Sequence, residues 1–356
     1  MPDLLWVREE SRARRTLLAP LLPLEALYRC GVFLHRALYR SGLAKRRRLE
    51  ARVVSVGNLA VGGSGKTPVV AWLAERLRAR GHKAAVLSRG VGGRGGRSVQ
   101  VVSDGERVLL GPGSVGDEPV WLARRLSGVP VLAGHNRVAL ALRALAVFGS
   151  EVLIVDDGFH HHRLERDVDL VCLDARLGLG NGHVLPRGPL RESGRALRRA
   201  DAIVLTRVPG PAEDPPGLPA QVPVGLPSFR LGIDPVGLRV PGTPGLRPLE
   251  ALQGTEVGLL TAIARPDRML QELERLGARV VKRRCFRDHH RYRPRELRSL
   301  DRALPWVTTA KDAVKIPDAW LDDLRLWVLE EELRADSGDE LVDWLLERLG
   351  SLRLRG

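Results

Sequence analysis

Seven residues, Gly62-Gly63-Ser64-Gly65-Lys66-Thr67-Pro68, leave this chain few folds to choose from. They follow an apolar run, Val53-Val54-Ser55-Val56, and precede a segment with Val69, Val70, Trp72, Leu73 and Leu77 at helical spacing. In a strand–turn–helix context of this kind, backbone N–H groups face phosphate oxygens at a helix N-terminus, where the dipole favours negative charge. In that reading Lys66 reaches the β- and γ-phosphates, the Thr67 hydroxyl binds Mg²⁺, and Pro68 sits in the first turn, where its missing N–H costs nothing. The strict motif has glycine at position 60, and this chain has Ala60. A plain glycine-rich turn before a helix is the alternative.

A second phosphate-site element should be an acid ending an apolar strand, and Val152-Leu153-Ile154-Val155-Asp156-Asp157-Gly158 supplies it. A buried strand ending in two carboxylates is costly unless a cation lies there. Mg²⁺ held by Thr67 and an Asp is the usual arrangement around such a loop. Two solvated acids at a strand end are the alternative.

Around these motifs short apolar runs alternate with helical ones. Strands are predicted at 52–56, 84–88, 99–102, 130–133, 151–156, 168–173 and 201–206, and helices at 68–80, 117–126 and 136–148. This alternation predicts an α/β fold of the P-loop NTPase type, a mostly parallel sheet with helices on both faces, over residues 51–208. Residues 209–248 hold 11 prolines and seven glycines, so regular helix is excluded and an extended connection or linker is predicted. A smaller α/β domain is predicted over 249–356, with strands near 256–261, 278–281, 306–308 and 325–329. Its helices are predicted near 266–276, 294–303 and 338–349, the last with the option of packing back on the first domain.

The formal net charge of +15 invites a nucleic-acid reading. Against it, aromatics are only 4%, so stacking platforms are scarce. Only six of the 57 basic residues are lysines, a skew that points to compositional bias in part of the charge. Cys30, Cys172 and Cys285 lie far apart and make neither a disulfide frame nor a zinc pattern. Met1 to Arg15 is polar with both charge signs, unlike a signal peptide. The uncharged run Thr16–Leu24 is far short of the about 20 residues of a membrane span.

Residues 1–50 nevertheless carry 11 basic and five acidic residues beside an apolar segment. On a helix from about Leu24, with Pro20 and Pro23 breaking or starting it, Glu25, Arg29, Arg36 and Arg40 fall within about 60° of one another. Leu27, Val32, Phe33, Leu34 and Leu38 take much of the rest. Two readings stand: a helix packed on the protein's own core with its charges in solvent, or a helix on a membrane surface.

Other polar clusters are less specific. Adjacent His160, His161 and His162 cannot share one helical metal face, so they are either a loop contacting phosphate or substrate or surface histidines. Asp117 reads as an N-cap before Pro119, or as a carboxylate beside the nucleotide. Asp288-His289-His290 is consistent with an oriented imidazole. Lys311 and Lys315 are two of the six lysines, which points weakly to a need for ammonium groups; a solvated loop is the alternative.

Taken together these segments resemble the tetraacyldisaccharide 4'-kinases, or lipid A 4'-kinases, from roughly Leu21 to Lys315. The resemblance rests on Ser55-Val56-Gly57-Asn58-Leu59, the Gly62–Pro68 loop, Leu87-Ser88-Arg89-Gly90, Val115-Gly116-Asp117-Glu118-Pro119 and Gly134-His135-Asn136-Arg137. Asp156-Asp157-Gly158-Phe159, Leu185-Pro186-Arg187-Gly188-Pro189-Leu190-Arg191-Glu192, Phe286 with Asp288-His289-His290, and Thr308–Lys315 complete it. The resemblance implies an enzyme that phosphorylates the 4'-hydroxyl of a tetraacyl glucosamine disaccharide 1-phosphate with ATP and Mg²⁺. It further implies a place at the cytoplasmic face of a bacterial inner membrane, on an anionic surface, with no nucleic acid and no obligate protein partner. Carried over by position, Lys66 and the loop hold the ATP phosphates, and Thr67, Asp156 and Asp157 organise Mg²⁺. Asp117 is implied as the base assisted by His289, with Glu118, Arg137, His161 and Glu192 around phosphate or substrate. The chain departs from the family pattern at Val91, His160, Ala310 and Ala262-Ile263-Ala264. A P-loop ATPase or GTPase switch of the metal-delivery or partitioning type remains the alternative.

Overall fold

The computed structural model describes residues 11–90, 93, 98–209, 218–321 and 324–351; Val91 and the polar Met1–Glu10 fall outside them. In chain order the strands are β1 (Arg52–Gly57), β2 (Ala84–Ser88), β3 (Gln100–Ser103), β4 (Val131–Ala133), β5 (Val152–Asp156), β6 (Val168–Asp174) and β7 (Ala202–Thr206). They continue with β8 (Ser228–Arg239), β9 (Leu246–Arg247), β10 (Glu256–Thr261), β11 (Arg279–Cys285), β12 (Trp306–Thr309) and β13 (Leu326–Arg334). The helices are α1 (Arg12–Leu18), α2 (Leu22–Arg40), α3 (Lys66–Ala79), α4 (Pro112–Val115), α5 (Asp117–Arg125) and α6 (Arg137–Phe148). They end with α7 (Pro266–Arg275), α8 (Pro294–Arg298), α9 (Ala310–Ala313) and α10 (Gly338–Ser351).

The strands join one sheet in the order β11-β10-β12-β13-β8-β7-β6-β1-β5-β2-β4-β3, with β9 on β8. From β8 to β4 every pairing is parallel, and β3 closes the edge antiparallel. Both faces are covered, as parallel sheets require. Val54, Val56, Val86 and Ile154 pack against α3, α5 and α10. Val53, Leu87, Leu153 and Val155 point the other way, onto Leu140, Ala141 and Ala144 of α6. The last helix, α10, therefore packs on the first half of the sheet.

The Pro/Gly-rich stretch predicted as a connection contains β8. Its first part pairs parallel with β7, from Ser228 opposite Ile203 to Leu231 opposite Thr206. Its second part pairs antiparallel with β13, from Gly232 opposite Arg334 to Arg239 opposite Val328. Composition hid this strand because Pro235 removes a ladder donor; it falls where the register shifts, a place where a strand tolerates proline. Because β13 runs against β8, and β12 and β10 run with β13, the carboxyl ends of the second half point back at those of the first.

β1 and the loop after β5 touch so closely that Gly57 has no room for a side chain: a Cβ there lies 2.9 Å from the backbone nitrogen of Phe159. Gly57→Ala must push the Asp156–Phe159 loop away from the phosphate loop. We expect a loss of about 1–3 kcal/mol of stability, the usual cost of overpacking, read from the urea midpoint.

Candidate active site

Gly62 and Gly65 both hold positive φ (96° and 75°), and Gly65 caps α3 in the left-handed conformation that glycine adopts at least cost. The Thr206 hydroxyl donates to the Ser64 carbonyl at 2.7 Å, and Arg207 donates to that of Gly63, so the end of β7 holds the loop. Position 60 needs no glycine: Ala60 has no positive φ and bridges Leu190. That is the physical reason the motif tolerates this departure.

At the end of β5 the two aspartates have opposite electrostatics. Burial works against the Asp157 charge, but Lys66 Nζ at 3.6 Å and Arg191 Nη1 at 2.7 Å hold its carboxyl well below the ordinary range. Asp156 is buried; burial and the charges of Glu118 and Asp157 push it up to about 7, against Lys66 and Arg137. Ser88 donates to its Oδ2 at 3.4 Å, while no hydrogen bond reaches its Oδ1 among the described residues. An orphaned carboxylate oxygen in a phosphate cleft suits a divalent cation. The described residues hold no group of three or more His, Cys, Asp or Glu side chains placed to hold a metal ion by themselves. That donor set fits Mg²⁺, which keeps several waters and takes one or two carboxylates plus substrate phosphates.

The second half of the sheet supplies the opposite wall. Asp117 is the first residue of α5 and Gly116 its N-cap, so the capping role read from sequence does not hold. Its Oδ1 accepts from His289 Nδ1 at 2.8 Å and from the Glu118 N–H at 3.0 Å. Its Oδ2 lies 3.4 Å from Lys315 Nζ. Burial would raise the Asp117 pKa, but the His289 hydrogen bond and the Lys311 and Lys315 charges hold it far below the ordinary range. The same hydrogen bond raises that of His289 against its burial. Glu118 accepts from Lys311 at 3.0 Å. An acidic pair opening α5 thus meets a lysine pair around α9, and the Lys311/Lys315 signal belongs to a built contact. The cleft between the halves encloses about 430 Å³ and is lined by Gly62–Pro68, Asp156, Asp157, Glu118, His289 and Lys311, among others.

The profile of the family described as Tetraacyldisaccharide-1-P 4'-kinase matches residues 17–350. The chain belongs to the tetraacyldisaccharide-1-P 4'-kinase family. Among its relatives, the tetraacyldisaccharide 4'-kinase of Anaeromyxobacter sp. (strain Fw109-5) is 44% identical, over 99% of this chain and 96% of that protein. That of Geobacter sulfurreducens is 40% identical, over 86% and 87%. The crystal structure of the "apo" form of LpxK from Aquifex aeolicus in complex with ATP is 28% identical. It superposes with a TM-score of 0.76, covering 94% of this chain and 99% of that one.

Not every position carried over from this kinase family reaches the cleft. Arg137 is buried behind it, donating to the carbonyls of Gly134 and, at 3.3 Å, Asp156. His161 lies beside it; burial, then Arg137 and Arg166, bring its pKa down to about 4. Glu192 joins Arg199, His160 and Arg36 of α2 in an ionic cluster away from the cleft lining. His162 packs against His35 and Tyr39 of α2, so the triple histidine supports the loops and that helix. Arg191, Ser88 and Arg207 went unassigned in the sequence, although the first two stood inside the motifs quoted. Nothing in the sequence marked Arg207.

A raised His289 pKa fixes a sign. The His289⁺–Asp117⁻ contact contributes stability fully below the unfolded His value of about 6.5 and loses it as pH rises through the higher folded value. The thermal midpoint of wild type minus that of His289→Gln should therefore shrink with rising pH across that window.

Proposed function

We propose that this chain transfers the γ-phosphoryl group of ATP to the 4'-hydroxyl of a tetraacyl glucosamine disaccharide 1-phosphate, a step of lipid A synthesis. The observation that carries the reading is the facing arrangement: phosphate loop and acid pair on one carboxyl edge, and from the other His289, hydrogen-bonded to Asp117 behind the cleft lining. Phosphoryl transfer has a loose transition state, so most of the catalysis is positioning and charge neutralisation. Lys66 and the loop amides bind the phosphates. Thr67 and Asp156, with Asp157 beside them, would hold Mg²⁺, which on binding neutralises charge on the phosphate oxygens. Asp117 accepts the hydroxyl proton, and His289, bonded to its Oδ1, orients it. Since the two come from opposite halves of the sheet, we treat those halves as the two moving domains, whose closure excludes water. A bare nucleotide switch has no use for that pair.

The N-terminal segment supports a membrane-surface placement. Arg12–Arg40 is helical apart from a 3₁₀ turn at Ala19–Leu21 and is, by length and composition, apolar enough to cross a membrane. Only 11% of its most apolar window is buried. Against the core-packing alternative, α2 turns Glu25 and Arg36 toward the body while Arg29 stays exposed. Glu25, its only buried residue, accepts from His183 Nδ1 (2.9 Å) and the Val184 N–H (3.1 Å), and Arg36 donates to Glu192 at 3.2 Å. Leu27, Phe33 and Leu34 are left 62–70% exposed. We read α2 as lying along the protein body, its apolar face seated on the anionic cytoplasmic surface of the inner membrane, within reach of a lipid substrate.

Incubation with ATP, Mg²⁺ and a tetraacyl disaccharide 1-phosphate should yield a product carrying one added phosphate by mass spectrometry, with little hydrolysis when lipid is omitted. Fast lipid-free hydrolysis would instead favour the switch. Asp117→Ala should cut turnover by about 10²–10⁴ while ATP still binds. Phe33→Asp with Leu34→Asp should abolish co-sedimentation with anionic vesicles while sparing turnover of detergent-dispersed substrate.

A further inference from the structure

The carboxylate of Asp117 is engaged unequally. Its Oδ1 is committed to His289 and the Glu118 N–H, whereas no hydrogen bond reaches Oδ2 among the described residues. Oδ2 is buried on the side of Lys315 and is the carboxylate oxygen left without a hydrogen bond among those residues. The ammonium beside that oxygen, Lys315 Nζ at 3.4 Å, has a side chain 5% exposed, against 2% for Asp117. It is itself held. Asp312 Oδ1 lies 2.7 Å away, and the ring of Tyr292 packs under the ammonium at 5.3 Å. Asp312 Oδ2 in turn accepts from Thr261 Oγ1 at 2.8 Å, the Ala262 N–H at 3.0 Å and Thr309 Oγ1 at 3.1 Å. The chain of contacts runs from the carboxyl ends of β10 and β12 to one oxygen of one residue in the other half. An ammonium buried this deeply is costly to desolvate, and a bare packing role would be served better by an apolar side chain.

We propose that Lys315 is a positioning residue for phosphoryl transfer: its ammonium fixes Oδ2 of Asp117 and keeps that carboxylate ionised, and it is delivered there by closure of the two halves. The inference rests on Asp117 acting as base. In the step itself the substrate oxygen bonds to the γ-phosphorus, the bond from γ-phosphorus to the bridging oxygen breaks to release ADP, and the hydroxyl proton moves to the Asp117 carboxylate. Lys315 keeps its own protons throughout. The charged groups facing Asp117 are His289 and Asp288 after β11, Lys311, Asp312 and Lys315 around α9, and Glu118 beside it on α5. Of these, Lys315 is the cation placed against Oδ2.

The test is the pH profile of kcat for the full-length enzyme with ATP, Mg²⁺ and the lipid disaccharide. Removing a cation from beside a carboxylate raises the carboxylate's pKa. Lys315→Met should therefore move the acidic limb up by about one pH unit or more and lower kcat about tenfold near neutrality, with the KM for ATP nearly unchanged. Lys315→Gln, neutral but polar, carries the same expectation should the Met variant fold poorly, and Lys315→Arg should return the limb toward its wild-type position. A neutral variant with the wild-type thermal midpoint and an unmoved limb would overturn the proposal. Asp117→Asn separates the two failures: if it retains turnover, the base assignment is wrong. If it is inactive while the limb of Lys315→Met stays in place, only the role of Lys315 is wrong.

Discussion

A single strand sets the chemistry of this molecule. Over its first residues β8 extends the parallel sheet beside β7, and over its last it pairs antiparallel with β13. Parallel strands gather their loops at one carboxyl edge, which is where α/β proteins bind ligands. Two such edges normally face away from each other or lie side by side. By serving both half-sheets in opposite senses, β8 turns the second edge toward the first. The phosphate loop after β1 and the acids after β5 thereby confront the loop after β11 and helix α9 across the cleft.

The charges across that gap are arranged by sign. Asp117 and Glu118 open α5, where carboxylates complement the helix dipole, and Lys311 and Lys315 meet them from α9. Asp117 and Lys315 are buried deeply enough that leaving either unpaired would be expensive. Asp156 is the exception. It ends in the cleft with one oxygen unbonded among the described residues and its pKa raised by burial.

The N-terminal helix follows the same economy in reverse. Its ionic residues are spent on the protein body, at Glu25 and Arg36, and its apolar side chains face outward. Both anchoring points fall on one run, His183–Glu192, which also carries Arg191 onto Asp157. The helix is therefore mechanically continuous with the wall of the cleft. Much of the basic character that first pointed to nucleic acid is engaged in internal ion pairs of this kind, Arg36, Arg191 and Arg199 among them.

The local chemistry was legible in the linear chain. Glycine spacing before a helix, apolar runs of strand length and acids at a strand end are short-range patterns, and they placed the phosphate loop, the Asp156–Asp157 pair and nearly every strand and helix. Ordered motifs then placed Asp117 and His289. What the chain alone left open depended on contacts between residues far apart in sequence. The strand β8 was hidden because its one proline, Pro235, is tolerated only at the register shift in its pairing with β13. The inward turn of the α2 charges was ambiguous because helical periodicity separates two faces without saying which one the body covers. For Lys315 the sequence offered two readings, a need for an ammonium group or a solvated loop, and only the fold, by bringing α9 against α5 across a separation of 198 positions between Asp117 and Lys315, set its ammonium beside Oδ2 of Asp117.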